Sequence, residues 1–205
     1  MALVDYIPVV LFSLATANLM RDLYNKMSKA SFALFAAGAL DITIAGALKA
    51  TYKLLYAAGL CDFEPLNAMF FPTQSIGFLL AGIGILMMLL KKGNGKTAAM
   101  AVAPPVFTGT FVFVGLMVAG LGLVDAVLCI LSVKLKKPAL IALFAVSFVC
   151  SLCMGYLSSQ DFAQASMNWI AEGVNIVGQG ALLAGAVLLH KNGLADLELH
   201  NGEKA

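Results

Sequence analysis

Apolar runs of membrane-crossing length alternate with short charged loops along this chain. The run at 4–20 ends at Arg21 and Asp22, with Lys26 and Lys29 behind it. The next starts near Ser31 and is apolar to Leu48 except at Asp41. It continues into Lys49, Tyr52, Lys53 and Tyr56 at helical spacing, the pattern of amphipathic rings and snorkelling lysines at headgroup depth. A third run, 67–90, is closed by Lys91 and Lys92. Residues 97–133 are then almost continuously apolar up to Lys134, Lys136 and Lys137, and the runs 138–157 and 165–190 complete the chain.

A crossing takes about 20 residues and no fewer than about 17, so 97–133 holds either one crossing or two. Two crossings, 97–114 and 116–133, with a kink at Pro104-Pro105 and a turn near Gly115, put Arg21, Lys26, Lys29, Lys91, Lys92, Lys96, Lys134, Lys136, Lys137, Lys191 and Lys204 on one side, against Lys49 and Lys53. A single crossing scatters the same cations over both sides. Positive charge collects on the cytoplasmic side. The expected fold is therefore an all-α integral membrane protein of seven transmembrane helices, N-terminus outside and C-terminus cytoplasmic, in a plasma or bacterial inner membrane; six helices is the alternative. The first run lacks an A-x-A-like cleavage site and reads as a first helix rather than a removable signal. No stretch alternates as the strands of a membrane barrel do.

Segments of the two halves match in the same order. KASFALFAAGAL at 29–40 resembles KPALIALFAVSF at 137–148, CDFE at 61–64 resembles QDFA at 160–163, and FLLAGIGIL at 78–86 resembles ALLAGAVLL at 181–189. The pattern predicts one transmembrane domain, 1–194, made of parallel repeats 3–92 and 116–192 joined by a linker helix 97–114, with a polar cytoplasmic tail at 195–205. This three-plus-one-plus-three plan is similar to that of the SWEET sugar transporters and of the vitamin-precursor carriers. The likeness is one of architecture: the proline-glutamine pair of the PQ-loop families is missing, and Trp169 is the single tryptophan.

Composition fits this picture. Hydrophobic residues make up 61% of the 205 and charged residues 12%, against about 25% charged in soluble domains. The net charge of +2 forms no basic stripe, so nucleic acid is not an expected partner. The cysteines lack metal-ligand spacing and the methionines are scattered. There is no H-E-x-x-H, G-x-S-x-G or Walker motif, and span 7 has no lysine midway for retinal. No metal, cofactor or catalytic group is expected.

The candidate chemistry lies in the last span, where Glu172, Asn175 and Gln179 fall within roughly 60° on one helical face. An acid inside a membrane helix costs several kcal/mol unless it is paired, neutralised or wetted. In the other half a shift of 105 places Asn67 on Glu172 and Gln74 on Gln179, whereas the LLAG match needs a shift of 103. Pro72 is expected to free a backbone carbonyl near Gln74. Glu172, Asn175, Gln179, Gln74, Asn67 and Trp169 are the expected solute-binding set, and the intramembrane acids Asp41 and Asp125 the expected ion- or proton-coupling groups. The structural alternative is interhelical hydrogen bonding, worth about 0.6 kcal/mol per contact. Cys150 and Cys153, a C-x-x-C inside an apolar helix, read as packing. Small residues at Gly77, Ala81 and Gly84, and at Gly173, Val177, Gly180 and Ala184, read as close-packing faces.

The expected function is a small transporter or channel that binds a small polar or cationic solute in a central cavity between helices 3 and 7. Its partners would be the lipid bilayer, the solute and other copies in a homo-oligomer. The alternatives are a non-transporting module, such as a sensor or partner subunit, and then a membrane-embedded enzyme. A hollow beside the polar stripe would favour the first, and a stripe packed shut the second.

Overall fold

The structure, a computed structural model, describes residues 3–90, 110–157 and 165–199. Within them the chain forms α1 (Tyr6–Leu23), α2 (Lys29–Ala57), the short α3 (Glu64–Ala68), α4 (Phe70–Leu89), α5 (Thr110–Lys134), α6 (Ile141–Leu157) and α7 (Ala165–Lys191), and no strand. The local causes are plain in the sequence. Ser28 caps α2 by accepting a hydrogen bond from the Ser31 amide at 3.1 Å. Gly193, at φ 87°, takes the left-handed conformation that ends α7. Among the described residues four stretches are long and apolar enough to cross a membrane: Lys29–Ala57, Glu64–Leu89, Val112–Lys134 and Ser166–Lys191. The exposed faces are apolar, with Ile7 and Val10 on α1, Leu40 and Ile44 on α2 and Val149 on α6.

Helices are found at the runs 4–20, 67–90, 138–157 and 165–190 with their ends shifted by a few residues, and the first and third of them are not among the four stretches long and apolar enough to cross a membrane. Two expectations need correction. The turn near Gly115 does not form, because α5 runs unbroken from Thr110 to Lys134 and nothing lies within 4 Å of where a Gly115 Cβ would stand. A glycine costs a helix about 1 kcal/mol, less than exposing several backbone groups to lipid, so the helix continues through it. The carbonyl that Pro72 cannot bond is that of Ala68, because Pro72 sits in the first turn of α4 and the interruption falls at Met69, between α3 and α4. Most of the predicted span 97–114, with Pro104-Pro105, Lys91, Lys92 and Lys96, lies outside the described residues, as do QDFA at 160–163 and residues 200–205.

The six long helices close a ring in chain order, α1–α2–α4–α5–α6–α7, with α7 returning to α1. Neighbours within each half run antiparallel: Tyr6 and Thr51 share a hydrogen bond at 2.7 Å across α1 and α2, and Gly178 and Gly185 of α7 face Cys150 and Phe144 of α6. The two junctions between halves run parallel. Phe71 and Phe113 meet edge to face with centroids 6.4 Å apart, while Gly82 and Gly120 of the same two helices are in contact further along. On the other side Asp5 lies beside Glu172, and Asp22 beside His190. α4 therefore ends at the pole of the ring opposite the one where α5 begins.

Glycine contact faces bring α2, α4 and α5 together. Gly38 meets the backbone of Gly77 and Ala81, Gly84 meets that of Ser31 and Phe35, and the Ser31 hydroxyl donates to the Gly84 carbonyl at 2.6 Å. The expected α7 face at Gly173, Val177 and Gly180 turns outward instead: both glycines have open space, and Val177 is exposed. The polar stripe and the leucines at 182 and 189 take the inward side of α7, which leaves those small residues on the outer one.

One pole of the ring is closed. Leu194 is fully buried, Leu197 and Leu199 pack on the core, and the Lys26 ammonium donates to the carbonyls of Ala195 at 2.8 Å and Leu197 at 2.7 Å. Burial pulls the Lys26 pKa below its ordinary value, opposed by Asp196, Asp22 and Glu198. Residues 195–199 thus cap the bundle, and the polar tail expected from 195 begins beyond them. Buried Asp22 ties α1 to α7 through His190 Nδ1, at 3.0 Å, and accepts from Arg21 Nε at 3.1 Å. Asp22→Asn should lower the stability of the protein in detergent by about 1–2 kcal/mol, since both partners are substantially exposed. An unchanged melting temperature would mean that the clamp contributes nothing.

Candidate functional site

At the other pole the ring opens into a cavity of about 780 Å³. Ligand pockets run to about 300–1,000 Å³, so a small organic solute fits. Glu172, Asn175 and Gln179 line it from α7, Asn67 from α3 and Gln74 from α4. Five of the six residues expected to bind solute thus face one space. Trp169, the sixth, is outside the lining and 53% exposed: it is turned about 60° from Glu172 toward the edge of α7 that carries Gly173 and Gly180, both in open space. The stripe is not packed shut: Oε1 of Glu172 and Oε1 of Gln179 are buried, with no hydrogen-bond partner among the described residues.

Three charged residues that the sequence reading left out line the same cavity, namely Asp5, Lys49 and Lys53. Lys53 Nζ lies 3.1 Å from each carboxylate oxygen of Asp5 and donates to Oδ1. The carboxyl of Glu172 stands next to that of Asp5, with both lysines near. Lys49 Nζ rests 3.9 Å above the Phe70 ring centre, a cation–π contact, and makes no ion pair among the described residues. The two lysines belong to the stretch read as a headgroup-level tail. The overlooked signal was their register: Ile42, Gly46, Lys49, Ala50 and Lys53 form one helical stripe, and all of them line the cavity. Asp5, at the very start of the first apolar run, carried no comparable signal.

The floor is apolar. Phe12, Ile42, Phe78 and Leu121 separate the cavity from a second hollow of about 20 Å³, room for roughly one water. That hollow is lined by Thr16 and by Asp125, which is 4% exposed and has neither carboxylate oxygen bonded within the described chain. Asp41, the other expected coupling acid, is half-buried on α2 and lines neither space. The four cysteines are free; the Cys150 Cβ lies against Gly178, and Cys153 and Cys61 are exposed. Among the described residues no cluster of His, Cys, Asp and Glu is placed to hold a metal.

No protein-family model, curated protein or solved structure matches this chain.

Proposed function

We propose that this chain is a membrane transporter or channel that binds a small polar or cationic solute in the cavity at the open pole of the helix ring. The observation that carries this reading is the pair of buried, unpartnered oxygens, Glu172 Oε1 and Gln179 Oε1, on the wall of a hollow of about 780 Å³. In a water-free setting such an atom costs several kcal/mol, and hydrogen bonds to a neighbouring helix would have removed the cost. A solute that supplies donors removes it as well.

We further propose seven crossings in a three-plus-one-plus-three plan with the closed pole cytoplasmic. Two features support it. The first is that α4 and α5 run parallel, so that α5 begins at the pole opposite the one where α4 ends. The ring also maps onto itself when α1, α2 and α4 exchange with α5, α6 and α7, since both junctions are parallel and both halves antiparallel within. The contact details differ: Gly84 receives the backbone at Phe35, but Gly185 receives the ring of Phe144. The orientation follows the cations. Arg21, Lys26, Lys29, Lys134, Lys136, Lys137 and Lys191 lie at the helix ends of the closed pole, and Lys49 and Lys53 at the other.

The test is solute binding by the purified protein, followed through ligand-induced thermal stabilisation. Gln179→Ala should weaken binding by about 2- to 10-fold at every pH, the value of one hydrogen bond. Binding of an ammonium-bearing solute should weaken as pH falls and Glu172 takes up a proton, and Glu172→Gln should remove that dependence. If both variants bind normally yet melt earlier, the stripe is packing glue and the reading fails.

A further inference from the structure

Among the described residues four charged side chains line the cavity, and their pairing is incomplete in a way that specifies a ligand. Lys53 is engaged with Asp5 at 3.1 Å. That leaves the carboxyl of Glu172, which has Asp5 beside it and, among the described residues, no cation within ion-pair distance, and the ammonium of Lys49, which lies on the face of Phe70 and makes no ion pair among the described residues. The two groups come from different helices, α7 and α2, and face the same cavity without touching. We propose that the solute is an uncharged-side-chain α-amino acid, its ammonium received between Glu172 and Asp5 and its carboxylate by Lys49. The proposal rests on the reading that this cavity binds solute, and it sharpens the solute's class.

Charge balance selects the zwitterion. With Asp5 and Glu172 against Lys49 and Lys53 the lining is formally neutral, so a simple cation would leave one positive charge in excess in a low-dielectric space and a simple anion one negative. An unpaired charge there is expensive, and a ligand with both signs at neighbouring atoms adds none. The Glu172 and Asp5 carboxyls are hydrogen-bond neighbours and Lys53 is bonded, among the described residues, to Asp5 alone, so an ammonium placed beside the pair would be drawn to both. Lys49 can leave a ring face, worth about 2 kcal/mol when desolvated, for a charge-assisted carboxylate partner. Below these charges the wall turns to Phe12, Phe78 and Met117 beside Gln74 and Gln179, a surface for an apolar or amide side chain and not for a third charge.

The experiment measures binding to the purified full-length protein by calorimetry at neutral pH. The panel is leucine, phenylalanine and glutamine, the matching amines isoamylamine and phenethylamine, the matching acids isocaproate and 3-phenylpropionate, and glucose as an uncharged polyol. The amino acids should bind, and each one-charge analogue should bind at least about 30-fold more weakly, the loss expected when a buried charge is left without its partner. Lys49→Gln should weaken the amino acids and leave the amines unchanged; Glu172→Gln should do so while leaving the acids unchanged. Lys49→Arg, which keeps the charge, should retain amino-acid binding and shows that any loss in Lys49→Gln is not misfolding. Amines bound as tightly as amino acids, with Lys49→Gln silent, would overturn the zwitterion and leave the cavity as a cation site. Glucose binding alone would overturn it in favour of a polyol. If nothing in the panel binds, both the zwitterion and the cavity reading fall.

Discussion

Gly120→Val is expected to prevent the six-helix ring from closing. A Cβ at Gly120 would run into the backbone of Phe78 and Leu79, and opposite it Gly82 meets the Gly120 carbonyl, so the α4–α5 junction is a backbone-to-backbone contact with no flexible side chain to yield. Overpacking a well-filled core costs about 1–3 kcal/mol when side chains can shift, and more when they cannot. The junction also joins the two halves, so separating it opens the cavity wall at Phe71 and Phe113. The purified variant should aggregate or melt about 6–12 °C lower than the parent in the same detergent, the shift that a loss of about 3 kcal/mol gives a chain of this size. Gly115→Val, on the same helix with nothing within 4 Å, is the control and should change little. Equal damage from both would show that helix propensity, and not close approach, sets the effect.

Asp125→Leu should act in the opposite direction on stability and remove function. The acid sits in an apolar hollow of about 20 Å³ with neither oxygen bonded within the described chain, which is costly whichever protonation state it adopts. Leucine fills that space among Phe12, Leu121, Val124 and Leu182, and the protein should gain about 1–3 kcal/mol, read as a higher melting temperature. A group kept at such a cost is the pattern of a functional site. If Asp125 couples solute movement to an ion or proton, uptake into vesicles should lose its dependence on the imposed gradient, while equilibrium binding above the Phe12–Phe78 partition survives. A large fall in stability would instead reveal a structural partner for the acid, and gradient-driven uptake in a stable variant would end its coupling role.

How much of this could be read from the chain differs by residue. Glu172, Asn175 and Gln179 were legible because a single helix fixes their relation: 100° per residue puts i, i+3 and i+7 on one face whatever surrounds them. Gln74 and Asn67 were legible through the repeat, although the two competing shifts left their partners open. Trp169 is about 60° round α7 from Glu172, on the edge shared with Gly173 and Gly180, and which way that edge turns is set by the neighbouring helices. Lys49 and Lys53 carried the right register, but it pointed equally to an interface and to a cavity.

The sequence by itself determined that this is a helical membrane chain, where most of its helices lie, and which stripe of α7 is polar. Those properties are local: hydropathy and a period of 3.6 residues act within one segment. Tertiary structure alone decided that α5 passes straight through Gly115, that Gly178 and Gly185 and not Gly173 and Gly180 pack α7, and that Asp5 and Lys53 meet across 48 positions of sequence to leave Glu172 and Lys49 facing one hollow. Each of these is a choice of which face meets which neighbour. It is fixed by close packing between helices distant in the chain, and no single segment contains it.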